Sequence, residues 1–434
     1  MKKLYIPVIL LLSAALLLSA CSNYSISGYK AESYMPERYS YTEDVIFIDD
    51  GQNYDPEASA VIENPFVSVN EKAVSTFSAD VDTASYSILR RELKGNYTWN
   101  ELVATSGDYI RTEELINYFS YDYKQPGSGD ELFGLTSKLI TCPWNNDNLL
   151  LIIGLQTEKA VNKTANNLVF LIDISGSMSS SDKLPLLQKT FSYLTSNLGA
   201  DDTVSIVTYA SGEEVILEGC EGSKTDMIQN AIDKLEASGS TNGEAGLRKA
   251  YELAEKYYKP EGNNRIIMAS DGDLNVGMSS VDEIKDFVLE KSTRGLNLSV
   301  LGFGYGNYRD SIMEAVADNG NGVYYYVDCE EEAEKIFGTD LLSTLYTVAN
   351  DVKLQITFNK DAVSEYRLIG YENRIMSDED FDNEQKDAGD VGAGHSVTVC
   401  YEIKPVKDGQ GSDKLADLAV KFKKPGDEKS RLNE

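Results

Sequence analysis

The chain has 434 residues, 42% of them hydrophobic and 25% charged, a balance that excludes wholesale disorder and leaves room for two or three folded domains. Its 70 acidic and 40 basic residues give a net charge of −30 at pH 7. A field of that sign repels phosphate backbones and anionic headgroups, so nucleic-acid binding is disfavoured, while cations and basic surfaces are attracted. An ordinary acidic exported protein would carry the same excess.

In chain order, Lys2 and Lys3 precede a nearly unbroken apolar run from Leu4 to Leu18, followed by Leu18-Ser19-Ala20-Cys21. Roughly fifteen apolar residues fall short of the ~20 that span a bilayer, so 1–21 is expected to be a secretory signal peptide. Its ending resembles a bacterial lipobox, which implies that Cys21 is lipidated and holds the protein at the extracytoplasmic face of the cell membrane. The other cysteines, Cys142, Cys220, Cys329 and Cys400, allow three disulfide pairings, and buried free thiols are an equal expectation. Residues 22–66 are polar, aliphatic-poor and without period, as expected of a flexible tether.

Residues 67–160 read as an α+β, β-rich segment. Helices are expected over Thr83–Leu93, with Asp82 as N-cap, and over Arg111–Phe119, and strands over Phe133–Thr141 and Leu149–Thr157. Residues 165–348 alternate regularly. Leu168–Ile172 is a continuous apolar run typical of a strand buried on both faces, and Leu184, Leu187, Phe191, Leu194 and Leu198 follow at helical spacing. Further strands are expected at Val204–Tyr209, a short Val215–Leu217, Ile266–Ala269, Leu298–Phe303 and Val323–Val327, and helices near 227–235, 247–258, 281–291, 309–318 and 331–347. The pattern predicts a doubly wound α/β sheet. Across 350–434 the period is that of strands, at Val352–Phe358, Tyr366–Tyr371, Ser396–Ile403 and Leu415–Phe422. Neither flank alone has enough strands for a core, so the two are expected to form one β-rich domain into which the α/β unit is inserted.

In an open α/β sheet, ligands bind beyond the C-terminal strand ends. There the first buried strand runs into Asp173-Ile174-Ser175-Gly176-Ser177. Two other loops supply matching hard oxygens: Thr241 in Ser238-Gly239-Ser240-Thr241-Asn242-Gly243, and Asp271 in Ser270-Asp271-Gly272-Asp273. Few charges and all-oxygen donors suit Mg²⁺, with Mn²⁺ or Ca²⁺ as substitutes. Two carboxylates neutralise such an ion and leave it able to take one more anionic oxygen, for which a partner protein's Asp or Glu is suited.

Asp173, Ser175 and Ser177, then Thr241, then Asp271 resemble the metal-ion-dependent adhesion site of von Willebrand factor A domains. The resemblance spans about 168–348 and implies direct or near-direct metal contact by the first four residues and a water-mediated one by Asp271. The stretches Thr76–Tyr86, Arg111–Phe119 and Lys386–His395 resemble a family of A-domain lipoproteins of the YfbK type, whose chains continue beyond the position of Glu434 here. What the resemblance implies is a non-enzymatic, membrane-anchored module for metal-dependent protein–protein interaction. A metal-dependent hydrolase and an envelope scaffold with a vestigial metal site are the alternatives.

Other motifs are weaker. Asp80-Val81-Asp82-Thr83 has the form of a phosphatase nucleophile loop but lacks a preceding buried strand. Gly302–Gly306 lacks dinucleotide spacing and reads as a turn, and Tyr324-Tyr325-Tyr326 reads as alternation across a strand. His395, the only histidine, lies among loop glycines, where a structural role is expected.

Overall fold

The computed structural model describes residues 61–433, apart from 80–81, 96–97, 99–109, 128–130, 159–163, 273–280, 305–309, 341–344, 387, 407–413, 426 and 428. The expected signal peptide, Cys21, nearly all of the tether, Asp80 and Asp273 lie outside the described residues. The strands in chain order are β1 (Val67–Ser68), β2 (Val74–Ser78), β3 (Phe133–Thr141), β4 (Leu149–Thr157), β5 (Asn166–Asp173), β6 (Thr203–Tyr209), β7 (Glu213–Glu221), β8 (Asn263–Ser270), β9 (Asn297–Phe303), β10 (Tyr324–Val327), β11 (Thr347–Phe358), β12 (Val363–Ile369), β13 (Val391–Gly392), β14 (Ser396–Pro405), β15 (Ala416–Lys423) and β16 (Arg431–Asn433). The helices are α1 (Ala84–Lys94), α2 (Thr112–Asn117), α3 (Leu184–Thr195), α4 (Thr225–Ile232), α5 (Gly243–Lys256), α6 (Val281–Ser292), α7 (Asp310–Asn319) and α8 (Glu330–Glu334). Among them no helix is long and apolar enough to cross a membrane.

The α/β unit is built on a sheet of order β10-β9-β8-β5-β6-β7, parallel throughout except for the antiparallel edge strand β7. All eight residues of β5 are buried, because helices cover both faces. On one face Phe170, Ile172, Leu187, Phe191 and Ile336 share a core; on the other, Val169, Leu171, Leu247, Tyr251 and Val316 share a second. The period of two divides the β10 tyrosines accordingly, with Tyr325 in the first core and Tyr324 and Tyr326 in the second.

The flanking segments are β-rich and interleave. One sheet has the order β1-β12-β14-β4-β3, and β11 pairs β2, β13 and β15, with β16 beyond β15. Each sheet therefore mixes strands from before and after the α/β unit. Their inner faces meet in one core that includes Phe77, Leu155, Leu354, Phe358 and Tyr401. The expected fold class, a doubly wound α/β unit with flanking β-rich segments, is the one observed.

Three local expectations differ. β7 runs nine residues rather than three, since pairing with β6 supplies hydrogen bonds that its exposed glutamates do not advertise as a strand. The helix expected over 331–347 is interrupted after α8 by a π-helical turn at Lys335–Thr339, and among the described residues beyond it Leu345 is helical again before β11 begins at Thr347. Asp82 does not cap α1. Its Oδ1 accepts from the Tyr324 amide at 3.0 Å, and the first-turn amide of Ser85 instead donates to Glu114 of α2 at 2.8 Å. The cap thus comes from another helix, a long-range arrangement invisible to local spacing. The four cysteines within the described residues are free thiols.

The N-terminal helices lie against the α/β unit along a charged seam. Arg90 donates from Nε to Asp328 at 2.9 Å and from Nη2 to Glu332 at 2.8 Å, and Tyr118 also donates to Glu332 at 2.7 Å. The two carboxylates are 3% and 1% exposed, so without the guanidinium both would be buried and poorly compensated. Arg90→Met is expected to cost about 3 kcal/mol, read as a fall in the thermal midpoint of roughly 3–5 °C. An unchanged midpoint would show that the seam contributes nothing.

Candidate metal centre

β5 ends on Asp173, which is paired in register with Tyr209 at the end of β6 and flanked on the other side by the end of β8. The strand therefore delivers a carboxylate to the C-terminal crevice of the sheet at 0% exposure. Its Oδ1 accepts from the Ser175 amide at 2.8 Å and its Oδ2 from the Ser270 hydroxyl at 3.2 Å. Burial pushes its pKa up to about 6 and the nearby charge of Asp271 adds to the shift, while the bonds from Ser175 and Ser270 oppose it.

Beyond Asp173 the chain turns through a short 3₁₀ segment, Gly176–Ser179. The turn brings the Ser175 and Ser177 hydroxyls within 2.9 Å of each other, the first buried and the second exposed. The loop carrying Thr241 docks on this turn, with Gly176 N donating to Gly239 O at 3.0 Å and Ser238 N to Ile174 O at 2.7 Å. Gly239 has φ +82, a conformation that disfavours any side chain. Thr241 follows two residues later, half-buried, just ahead of α5. Asp271, 1% exposed, leaves the end of β8. The structure thus brings Asp173, Ser175, Ser177 and Asp271 together and sets the Thr241 loop against them.

Sequence reasoning missed four members of this site. Lys183, 8% exposed, donates from Nζ to Asp271 Oδ2 at 2.8 Å, so an internal ammonium already compensates one carboxylate. Its alkyl stem crosses Gly304, where φ is +81 and a Cβ would collide with it. Ser270 bonds Asp173, and the fully buried Tyr209 hydroxyl stands beside both without completing a hydrogen bond to either. Burial, with the charge of Asp173 close by, holds that phenol well above its ordinary range. The available signals were slight: Ser270 precedes Asp271, and Lys183 stands at the start of an obvious amphipathic helix.

Two buried carboxylates, neighbouring hydroxyls and an orphaned phenol form an all-oxygen donor set, which fits a hard divalent cation better than a thiophilic one. Among the described residues no three His, Cys, Asp or Glu side chains gather as a metal cluster, so a cation here would rest on two carboxylates and on hydroxyls.

A profile described as von Willebrand factor type A domain matches residues 167–339, one described as von Willebrand factor matches 51–152, and one described as the C-terminal region of uncharacterized protein YfbK matches 343–434. YfbK of Escherichia coli strain K12 is 42% identical over 349 residues, 79% of this chain and 60% of that protein. Inter-alpha-trypsin inhibitor heavy chain H2 of Mus musculus is 27% identical over 202 residues, 44% of this chain and 20% of that one. A solved von Willebrand factor type A structure from Catenulispora acidiphila aligns with a TM-score of 0.43 at 16% identity, covering 72% of this chain and 73% of its own. The chain spans three-fifths or less of the length of these two curated relatives.

The raised pKa of Asp173 has a measurable consequence in chelator. Its proton is held more tightly in the folded than in the unfolded state, so the associated stability is complete below about pH 4 and is lost as pH rises through about 6. The loss amounts to about 3 kcal/mol. Denaturant titrations from pH 4 to 7 are expected to show it in the wild type and not in Asp173→Asn. Parallel profiles for the two proteins would refute the assignment.

Proposed function

Starting from the chain as a YfbK-like protein with a von Willebrand factor type A domain, we propose that it binds a protein partner through a divalent cation held at the C-terminal ends of β5 and β8. An A domain of this kind points to protein–protein interaction rather than turnover. The observation that carries the metal-dependent form of the reading is the convergence of Asp173, Ser175, Ser177, Ser270 and Asp271 on one crevice, with a buried carboxylate at its base.

Asp173 and Asp271 would supply the charge, and Ser175, Ser177 and Thr241 neutral oxygens. Mg²⁺ suits so few charges, and Mn²⁺ or Ca²⁺ are alternatives. When bound, such an ion offers Lewis acidity to one further anionic oxygen, for which a partner's Asp or Glu carboxylate is the natural donor. The Asp173 carboxylate is held in place by donation from Ser175 N and the Ser270 hydroxyl. Lys183 holds Asp271 in the absence of metal, and its ammonium would have to withdraw or share that oxygen. The reading extends to placement in the cell: the lipobox-like ending at Cys21 supports a lipid anchor on the extracytoplasmic membrane face, with the negative charge of the chain turned toward cations and basic partners.

Isothermal titration with Mg²⁺ and Mn²⁺ tests the centre. Asp173→Ala is expected to abolish the binding heat and metal-dependent partner capture while leaving far-ultraviolet dichroism unchanged. Lys183→Met is expected to tighten metal binding by roughly tenfold, about 1.4 kcal/mol, because a competing cation is removed. Equal heats from wild type and Asp173→Ala would sink the assignment. For the anchor, Cys21→Ser is expected to move the protein from the membrane fraction to the soluble one, and retention in the membrane would overturn that part of the reading.

A further inference from the structure

At the opposite end of the parallel sheet lies a cavity of about 320 Å³ between the α/β unit and the β-rich segments. Arg265 lines it, near the start of β8, six residues before Asp271 and so roughly 20 Å from the candidate metal centre along the strand. Its side chain is a buried cation in an unusual state. Arg265 is 2% exposed, its Nη1 donates to the neutral Ser299 hydroxyl at 2.7 Å, its Nε has no hydrogen-bond partner, and among the described residues it makes no ion pair. Buried guanidinium groups are normally matched by a carboxylate, and leaving one unmatched is costly. Burial accordingly lowers its pKa to about 10, with Asp390 only partly offsetting the effect from a distance.

The acids on the cavity wall are already engaged. Asp318 accepts from Arg374 with both oxygens at 3.1 Å, Asp82 accepts from the Tyr324 amide and Arg374, and Asp390 accepts from Asn350 and the Asp351 amide. At the mouth stands Lys386, exposed and without an ion pair among the described residues. In a chain of net charge −30, this cavity therefore combines two cations that have no salt-bridge partner with carboxylates that do have donors. We propose that it is a binding site for a small oxyanion, a carboxylate or a phosphate, gripped by the Arg265 guanidinium and drawn in by Lys386. The planar fork of arginine matches either group in a bidentate manner, and the volume admits a metabolite or the end of a peptide side chain but not a folded surface. The proposal is independent of the metal centre.

Titration of the full chain with inorganic phosphate and, separately, with succinate, in chelator and at constant ionic strength, tests it. Chelator prevents a metal-held oxyanion at the other end of the sheet from contributing. Saturable binding of at least one probe in the millimolar range or tighter is expected, with a matching rise in the thermal midpoint. Arg265→Met should lose it, and Lys386→Ala, a surface change that leaves the fold intact, should weaken it at least threefold. The probe that binds tells carboxylate from phosphate. No saturable binding of either by the wild type, or undiminished binding by Lys386→Ala together with a folded Arg265→Met, overturns the proposal. If Arg265→Met does not fold, undiminished binding by Lys386→Ala alone overturns it.

Discussion

A carboxylate at the end of a fully buried strand has to be compensated, and the upper end of the α/β unit is organised around that requirement at Asp173. The strand cannot be shortened to expose it, because β6 and β8 pair it on both sides up to the crevice. The compensation comes from a backbone amide two residues on and from the Ser270 hydroxyl, against a burial that pushes the pKa of the group up. Asp271, one residue past β8, brings a second negative charge to the same place and is met by Lys183. A divalent cation would satisfy both demands at once, which is why the metal-binding reading follows from electrostatics as well as from the motif.

Lys183 gives the crevice a metal-free state that is already balanced. Without that ammonium, two neighbouring buried carboxylates would face each other with hydroxyls alone between them, and the loops would have reason to separate. The lysine reaches Asp271 only because residue 304 is glycine, with its backbone turned into the left-handed region and no Cβ in the path of the alkyl stem. A glycine that reads in sequence as punctuation after a strand is thus part of the charge arrangement of the centre.

The same principle, a buried charge matched from a distant segment, joins the N-terminal helices to the α/β unit. Arg90 meets Asp328 and Glu332, Arg111 meets Glu114 and Glu314, and Arg374 from the C-terminal flank meets Asp318. Segments far apart in sequence are fastened to the edge of the sheet by arginines, alongside the apolar contact that Ala84 and Ile88 of α1 make with the second core. Arg265 stands out against this pattern as a more deeply buried guanidinium without a matching carboxylate in contact.

Local periodicity carried most of the architecture. The unbroken apolar run at Leu168–Ile172 and the helical spacing from Leu184 each determined an element by themselves, because burial on one or both faces leaves a period in the residues that make it. The spacing Asp173, Ser175, Ser177 likewise made a strand-end cluster of oxygens legible, since those residues are neighbours in the chain. Tertiary structure alone decided what depends on meetings between distant residues: the capping of α1 by Glu114, the pairing of Lys183 with Asp271, and the isolation of Arg265 in a cavity. A side chain's partner tens of residues away leaves no period in the sequence, so charge compensation, unlike hydrophobic patterning, becomes visible only when the chain is folded.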